Sequence, residues 1–524
     1  MDTSPAVIKA PVQPRRIKDL FSQRSLGSLY LSTTLKLLHL LIRLGIKPSE
    51  EGWRKYATAF LRTEDSRFIL TAFTLKIEAN DPADAAQAHP ERYILERLAQ
   101  FFTAHPQLWN TRLVWNRQGA SIQPNPHLDL VWGKFDPQGQ LSTIRAYFDA
   151  AKGLTQPALA SPYAEYFIQA YNQTRFSGRQ RPYHLLAAFR ELTKNTPDPQ
   201  AASQYAQRLL DSVFIHFEGL PAEQKIALPD FSPFPHPGGG AFNILVRLPT
   251  PGDQSVDLWF HINHALHDGN PVLEALHDLK ETWRTSAPVV FPPPLQGSEK
   301  NLLQPVYYDS GRELAYAYQF LSFEHLLQER DRLNQKYQPR LTNKITISGM
   351  LIWGLGSQPF MHEMRLTIVV DVPPGSKAGE PRTLGFITSR PGDFLTGSDK
   401  ELSFIAYQNY VNEAIKAVRK REDLTSVVLK SQALTPTTLY EKTLSQVPQA
   451  VKDIGGHVSL TVMPLADFCT PPADDTKDAV IAVGNFRAAT PVGHSAGVVC
   501  VKSVRKDIHQ YWETVYNTII HWQV

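Results

Sequence analysis

The sequence predicts a mixed α/β protein built as two related lobes, and three observations lead there. The first is size and composition. The chain has 524 residues, 42% apolar and 20% charged, enough for two large domains or about three smaller ones and too hydrophobic for a disordered chain. The second is that strand-period and helix-period segments occur in both halves, which excludes an all-α bundle. The third is that each half ends on the same pair of elements, an alternating strand followed by an amphipathic helix.

In the first half Val256, Leu258, Phe260 and Ile262 alternate with Asp257, Trp259, His261 and Asn263, the period of a strand. A tight turn follows. Asn270 suits a helix N-cap, Pro271 suits the first helical position, and Val272, Leu276, Leu279 and Trp283 fall on one helical face. In the second half GVVCVKSV reads as a strand, and Ile508, Tyr511, Trp512, Val515 and Ile519 line the closing helix. Between the halves, residues 286–304 carry four prolines and neither period, so we expect a first lobe at 1–285, a proline-rich linker at 286–309 and a second lobe at 310–524. Residues 60–208 show helical patterns. A helix over 401–422 has Phe404, Tyr407, Val411, Ile415 and Val418 at core spacing, and Arg419, Lys420 and Arg421 complement its C-terminus. The proline–glycine cluster at 229–240 is a loop. It lacks the Lys-Ser/Thr continuation of a phosphate loop and precedes the strand-like FNILVRL.

Charge and cysteine content narrow the function. A net charge of +4, from 54 basic and 50 acidic side chains, is too balanced for a nucleic-acid binder that works by neutralising phosphates, whereas anionic small molecules remain compatible. The two cysteines, Cys469 and Cys500, form no CxxC, so neither a disulfide framework nor a cysteine zinc site is built, and a reducing cytoplasm fits. The N-terminus lacks the apolar core of a signal peptide. The leucine-rich stretch 29–44 is interrupted by Lys36, His39 and Arg43, which argues against a membrane span. We assign it as an amphipathic core helix in preference to an interfacial one.

The chemistry concentrates at His264-Ala265-Leu266-His267-Asp268-Gly269. If the strand continues to residue 264, His264 points with Phe260 and Ile262 toward the interior. A neutral imidazole there can act as a general base, because its ordinary pKa near 6.5 lets it accept a proton at physiological pH. Asp268 could hold the turn through an ion pair, and Gly269 permits positive φ ahead of the helix cap. An isolated HxxxDG is equally compatible with a plain strand–turn–helix junction. A metal site from His261, His264, His267 and Asp268 is disfavoured, since His261 and His264 face opposite sides of a strand and no HExxH accompanies them.

The run NHALHDG resembles the HxxxDG signature of the CoA-dependent acyltransferase superfamily, which includes chloramphenicol acetyltransferase, dihydrolipoyl acyltransferases, condensation domains, plant BAHD enzymes and wax-ester synthases. Asn263 stands where many members carry a second histidine. In the second half, GGHVSLTVMPLADF at 455–468, DAVIAVGNF at 478–486 and then GVVCVKSV are similar to the strand order of dihydrolipoyl acyltransferases. TLGFITSRPGDF at 383–394 resembles the strand that follows the central helix of two-lobed members, and VRKDI at 504–508 occupies the turn where a histidine would stand.

The resemblance implies a two-lobed, chloramphenicol-acetyltransferase-like α/β sandwich with mixed sheets and an interlobe channel. It implies that His264 takes the proton from a hydroxyl, amine or thiol acceptor that attacks a thioester carbonyl, and that Asp268 is structural and paired with an arginine. Thr461, three residues before Pro464, is the implied hydroxyl donor to the oxyanion, with Ser459 as the fallback; Gly269 and Ser459 would lie beside substrate. Acyl-CoA is the implied co-substrate and no cofactor is resident. The partners are small-molecule acyl donor and acceptor, with no nucleic acid and no transmembrane span; a separate carrier protein is the alternative donor. The competing functions are a noncatalytic member that binds an acyl thioester or a protein, and a carrier-dependent condensation enzyme.

Overall fold

The alternating apolar runs of both halves pair into two mixed sheets in the computed structural model of the chain. The structure describes residues 33, 37, 40, 44, 67–76, 90–116, 119–136, 140–152, 161–177, 182–218, 240, 242–247, 255–263, 266–267, 269–282, 286–287, 303–307, 313–373, 383–395, 398–420, 456–466, 469, 477–486, 488–489, 495–503 and 507–524. The first sheet contains β1 (Arg67–Lys76), β4 (Leu130–Phe135), β5 (Leu141–Tyr147), β6 (Val213–Glu218), β7 (Phe242–Arg247), β8 (Ser255–Asn263) and β9 (Ser286–Ala287), ordered β5-β4-β6-β7-β8-β1-β9. A separate hairpin joins β2 (Thr111–Asn116) to β3 (Gly119–Pro124). The second sheet contains β10 (Leu303–Tyr307), β11 (Glu313–Ser322), β12 (Leu366–Val372), β13 (Thr383–Ser389), β14 (Val458–Val462), β15 (Ala479–Val483) and β17 (Ser495–Ser503), ordered β10-β11-β17-β15-β14-β12-β13, with β16 (Ala488–Ala489) on β17.

The two sheets repeat one plan. From β5 the successive pairings are antiparallel, parallel, parallel, then antiparallel to the edge. From β13 the sequence of directions is the same. Thus β5-β4-β6-β7-β8-β1 corresponds strand for strand to β13-β12-β14-β15-β17-β11. The chain has an α/β fold of two lobes with mixed sheets, as the sequence predicts. The segment expected to lack any strand pattern, 286–304, instead supplies β9 and the start of β10, a short edge strand for each sheet.

Helices cover the sheets unevenly. In the first lobe α1 (Pro90–Ala104) packs Ile94, Leu98 and Phe102 into one cluster with Leu258, Phe260, Phe242 and Ile244. The opposite face, at Val131, Ile144, Ala146 and Phe214, is covered by α2 (Ala164–Phe176), α3 (Pro182–Thr193) and α4 (Pro199–Asp211). The helix after β8 is α5 (Gly269–Thr282), whose Val272, Leu276 and Leu279 join the α1 cluster. In the second lobe α6 (Glu324–Tyr337), α7 (Ile347–Ser357), α8 (Lys400–Arg419) and α9 (Ile508–Ile520) pack against Ile368, Leu460, Ile481 and Val501. Each large side chain so buried contributes about 1.5–3 kcal/mol relative to exposure. Trp353 of α7 anchors this core, 5.6 and 5.4 Å from the rings of Phe404 and Tyr407.

Three expectations are corrected. Residues 60–208 are not only helical, because β1, β4 and β5 come from this region; the first four residues of β4 are all buried, which erases the two-residue period a sequence reading needs. The central helix starts at Lys400, where the Asp399 carboxylate accepts the Leu402 N–H at 3.0 Å, and ends at Arg419 with Lys420 at its cap; Arg421 lies outside the described residues. Leu37, Leu40 and Leu44 are exposed and do not enter the core.

A buried polar cluster fastens the β2–β3 hairpin to the first lobe. Arg112 of β2 donates to the Asp211 carboxylate at 2.5 Å, and Gln207 donates to its other oxygen at 2.9 Å. Beside it Arg208 grips Asp129 through two bonds, at 2.7 and 2.6 Å, and lies over the Phe148 ring. Burial pushes the Asp211 carboxyl up to about 6, against the pull of Arg112 and Gln207. A carboxyl that binds its proton more tightly folded than unfolded lowers stability as pH rises from its unfolded value toward its folded one. We therefore expect Asp211→Asn to match the parent near pH 4 and to exceed it by about 2–3 kcal/mol above about pH 6, as read from urea titrations across that range.

Candidate active site

The strand that leads to the histidine motif stops abruptly. β8 ends at Asn263, whose backbone carbonyl accepts the N–H groups of Leu266 and His267 at 3.0 and 3.1 Å. The ladder therefore ends at Asn263, and strand alternation carries no further. His264 and Asp268 lie outside the described residues. Their neighbours are placed: Asn263, Leu266 and His267 are buried, and the His267 ring sits 5.7 Å from that of Phe242. Gly269 is buried and is the first residue of α5, which corrects its expected place ahead of the cap; Asn270 and Pro271 belong to the first helical turn.

Thr461 and Ser459 come from the second lobe. β14 runs parallel to both β12 and β15, so its alternation places Ser459 and Thr461 on the face opposite Leu460, which is in the second-lobe core. Ser459 is buried and Thr461 half-buried. Thr461 is in register with Ala482 of β15. Ala482, with Ala466 and Cys469, is buried in the same apolar cluster as Leu266 of the histidine turn, and Met463 packs against that cluster. The structure thus brings Leu266, two residues after His264 in the sequence, and Ala482, the register neighbour of Thr461, into one apolar cluster.

The entry to β14 is fixed by Gly456. Its φ is +80°, and a Cβ there would stand 2.3 Å from the Thr367 hydroxyl, so a side chain is excluded on both counts. The buried Lys477 ammonium donates to the Gly456 carbonyl at 3.2 Å, and the Arg365 N–H donates to His457 Nδ1 at 3.1 Å. Cys469 and Cys500 are free and fully buried, and burial pushes both thiols up, leaving them protonated and poor nucleophiles.

The duplicated pairing gives an internal comparison. Leu130 pairs with Val213 as Leu366 pairs with Val458, and Phe214 pairs with Asn243 as Ser459 pairs with Val480. Asn243 in turn pairs with His261 as Val480 pairs with Lys502. His261 therefore corresponds to Lys502, and counting on along the chain Arg505 stands where the first lobe has His264. The second lobe has no histidine at that point.

Sequence reasoning missed Asn243. Its carboxamide is fully buried, neither the oxygen nor the nitrogen has a hydrogen-bond partner among the described residues, and it lies directly across the ladder from the buried His261. The signal was a single amide inside FNILVRL, a run otherwise read as an apolar strand.

No protein-family model and no curated protein matches the chain. Among solved structures, it is similar to trichothecene 15-O-acetyltransferase from Fusarium sporotrichioides, at 12% identity and a TM-score of 0.43 over 90% of this chain and 94% of that one. It is similar to TRI101 of F. sporotrichioides, solved with coenzyme A and T-2, at 12% identity and a TM-score of 0.39 over 87% and 95%. It is also similar to a wax ester synthase/diacylglycerol acyltransferase from Marinobacter aquaeolei, at 10% identity and a TM-score of 0.35 over 88% and 97%. At these identities no residue role carries across.

An unpaired amide buried in an apolar sheet costs about 1–3 kcal/mol. Replacing it by a leucine of similar size, Asn243→Leu, is expected to leave the ligand-free protein as stable as the parent or more stable by about 1–2 kcal/mol, measured by thermal and urea denaturation.

Proposed function

We propose that the chain is an acyltransferase that moves an acyl group from a thioester donor, acyl-CoA, to a hydroxyl, amine or thiol acceptor, with His264 as general base. One observation carries this reading: within NHALHDG, Leu266 lies in one buried apolar cluster with Ala466, Cys469 and Ala482 of the second lobe. On this reading the motif borders the seam between the lobes. The lobe limits 1–285 and 310–524 and the linker 286–309 are part of the proposal.

The chemistry follows from the residue types. The neutral His264 imidazole accepts the acceptor's proton as its oxygen, nitrogen or sulfur attacks the thioester carbonyl. The carbonyl oxygen becomes an oxyanion, to which the Thr461 hydroxyl donates, with Ser459 on the same strand face as the fallback. Collapse of the tetrahedral species breaks the carbon–sulfur bond, and the proton held on His264 passes to the leaving thiolate. Asp268 braces the turn through an arginine, and Gly269 lets the helix begin close to the substrate. No covalent acyl-enzyme is required, in keeping with the buried, protonated state of both cysteine thiols. Among the described residues no helix is long and apolar enough to cross a membrane. A cytoplasmic setting remains part of the proposal, resting on cysteine usage.

The test is a thiol-release screen of acyl-CoAs against pooled alcohols, amines and thiols. His264→Ala is expected to lower kcat by about 10² to 10⁴ with its circular dichroism unchanged, and turnover close to that of the parent would overturn the assignment. Release only from an acylated carrier protein would favour condensation chemistry, and thioester binding without release would favour a noncatalytic role. Thr461→Ala is expected to lower kcat by about 10² to 10³ with a smaller change in KM, because the oxyanion charge develops only in the transition state; steady-state kinetics with saturating donor separates the two effects.

A further inference from the structure

The entry to β14 closes around a titratable ring. The His457 N–H donates to the Arg365 carbonyl at 2.7 Å, and the Arg365 N–H donates back to His457 Nδ1 at 3.1 Å. An imidazole nitrogen thus stands where a ladder would have a carbonyl oxygen. It extends a parallel pairing of β12 with β14 that spans only Leu366–Ile368 against Val458–Leu460. A backbone N–H can only donate, so Nδ1 holds a lone pair and the half-buried ring is neutral, with its proton on Nε2. Uptake of a proton at Nδ1 turns that acceptor into a second donor, and the bond is lost.

The first lobe shows what the same junction looks like without a histidine. Leu130 pairs with Val213 as Leu366 pairs with Val458, so Ser212 stands where the second lobe has His457; its hydroxyl donates to the Leu209 carbonyl at 2.7 Å. There the Val213 N–H donates to the Asp129 carbonyl at 2.9 Å, whereas the Val458 N–H is 3.5 Å from the Arg365 carbonyl. The second-lobe junction is looser in its backbone and relies on the ring. His457 also accepts the Asp478 N–H on its carbonyl at 2.7 Å, which ties the same residue to the start of β15. The charged groups at these strand ends, among the described residues, are Glu363 and Arg365 ahead of β12, Arg390 after β13, and Lys477 and Asp478 ahead of β15. Arg390 is held by Glu363 and Asp393, at 2.9 and 2.7 Å. Protonation therefore adds a cation to a junction that already has Arg365 and Lys477, with Asp478 as the remaining anion.

We propose that His457 is a proton-sensitive positioning residue: neutral, it fastens the start of β14 to β12, and protonated, it releases the strand that carries Ser459 and Thr461. The fastening does not depend on the chemistry assigned to the seam. Its effect on turnover rests on the acyl-transfer reading, in which Thr461 donates to the oxyanion.

Hydrogen exchange of the full chain, with mass spectrometry of peptides covering 363–370 and 456–463, reads the junction. His457→Asn is the reference, because its carboxamide oxygen can take the Arg365 N–H and does not titrate. Comparing the two proteins at one pH cancels the intrinsic exchange rate. Between about pH 8 and about pH 5.5, on either side of the ordinary histidine value, the parent is expected to lose at least about tenfold in protection relative to His457→Asn. His457→Ala, which has no acceptor, is expected to show the weaker protection at both pH values. Protection that is the same in parent and His457→Asn throughout would overturn the proposal. The thiol-release assay reads the consequence. Protonation of His264 alone gives log kcat an acid limb of slope about one; the parent is expected to approach a slope of about two, and His457→Asn to return it to about one. A parent slope of about one would overturn the positioning role. A parent that releases no thiol at any pH overturns the acyl-transfer reading, and the exchange result then decides the fastening by itself.

Discussion

A sheet has two faces to bury, and the second lobe covers one of them with its own described helices. α6 to α9 pack on the side of Leu460, Ile481 and Val501. The other side carries Ser459, Thr461, Ala482 and Cys500, and the buried Ala482 belongs to the first lobe's cluster. Burial of that face against the first lobe is the constraint on which the rest depends, since Ala482, Ala466 and Cys469 there share one apolar cluster with Leu266 of the first lobe. The first lobe follows a different solution, with α2, α3 and α4 lying on Val131, Ile144, Ala146 and Phe214 of its corresponding face. The duplicated strand order is therefore not matched by a duplicated helical layer. That difference leaves the Thr461 face of the second sheet facing the first lobe.

The register between the copies gives the asymmetry a residue-level form. Where the first lobe has Asn243 opposite His261, the second has Val480 opposite Lys502. The second lobe solves this position in the usual way, with an aliphatic side chain and a long cation whose end can reach water. The first lobe instead keeps an amide and an imidazole buried beside the strand end that leads into the histidine turn. Polar groups retained inside a sheet against their desolvation cost tend to accumulate where a protein does something other than fold. The imbalance between copies agrees with the bias of the sequence motif toward the first lobe.

Much of this was legible in the sequence. β8, α5 and α9 were readable because they carry apolar residues at one period toward one core, as Val256, Leu258, Phe260 and Ile262 do. The motif turn was readable because glycine, proline and asparagine punctuate it. The strands β4 and β5 were not, for two reasons. β4 is buried on both faces and so loses its alternation, and residues on β5 such as Arg145 stand among apolar ones in a run too short to decide between periods. The parity argument for His264 was conditional on the strand continuing, and β8 ends at Asn263, whose carbonyl accepts the Leu266 and His267 N–H groups instead.

The leucine row was misjudged for an instructive reason. Helical spacing of leucines reports that a helix has an apolar face, and says nothing of what that face meets. For most helices the core is the safe assumption, because burial in the protein and burial in a bilayer both remove apolar surface from water and leave the same period behind. A helix that packs on a protein commonly shows charges of both signs toward water, pairing i to i+4 as Arg92 does with Glu96 on α1. The stretch from Leu29 to Leu44 has only Lys36, His39 and Arg43. The exposure of Leu37, Leu40 and Leu44 corrects the core assignment, which the helical period alone does not decide.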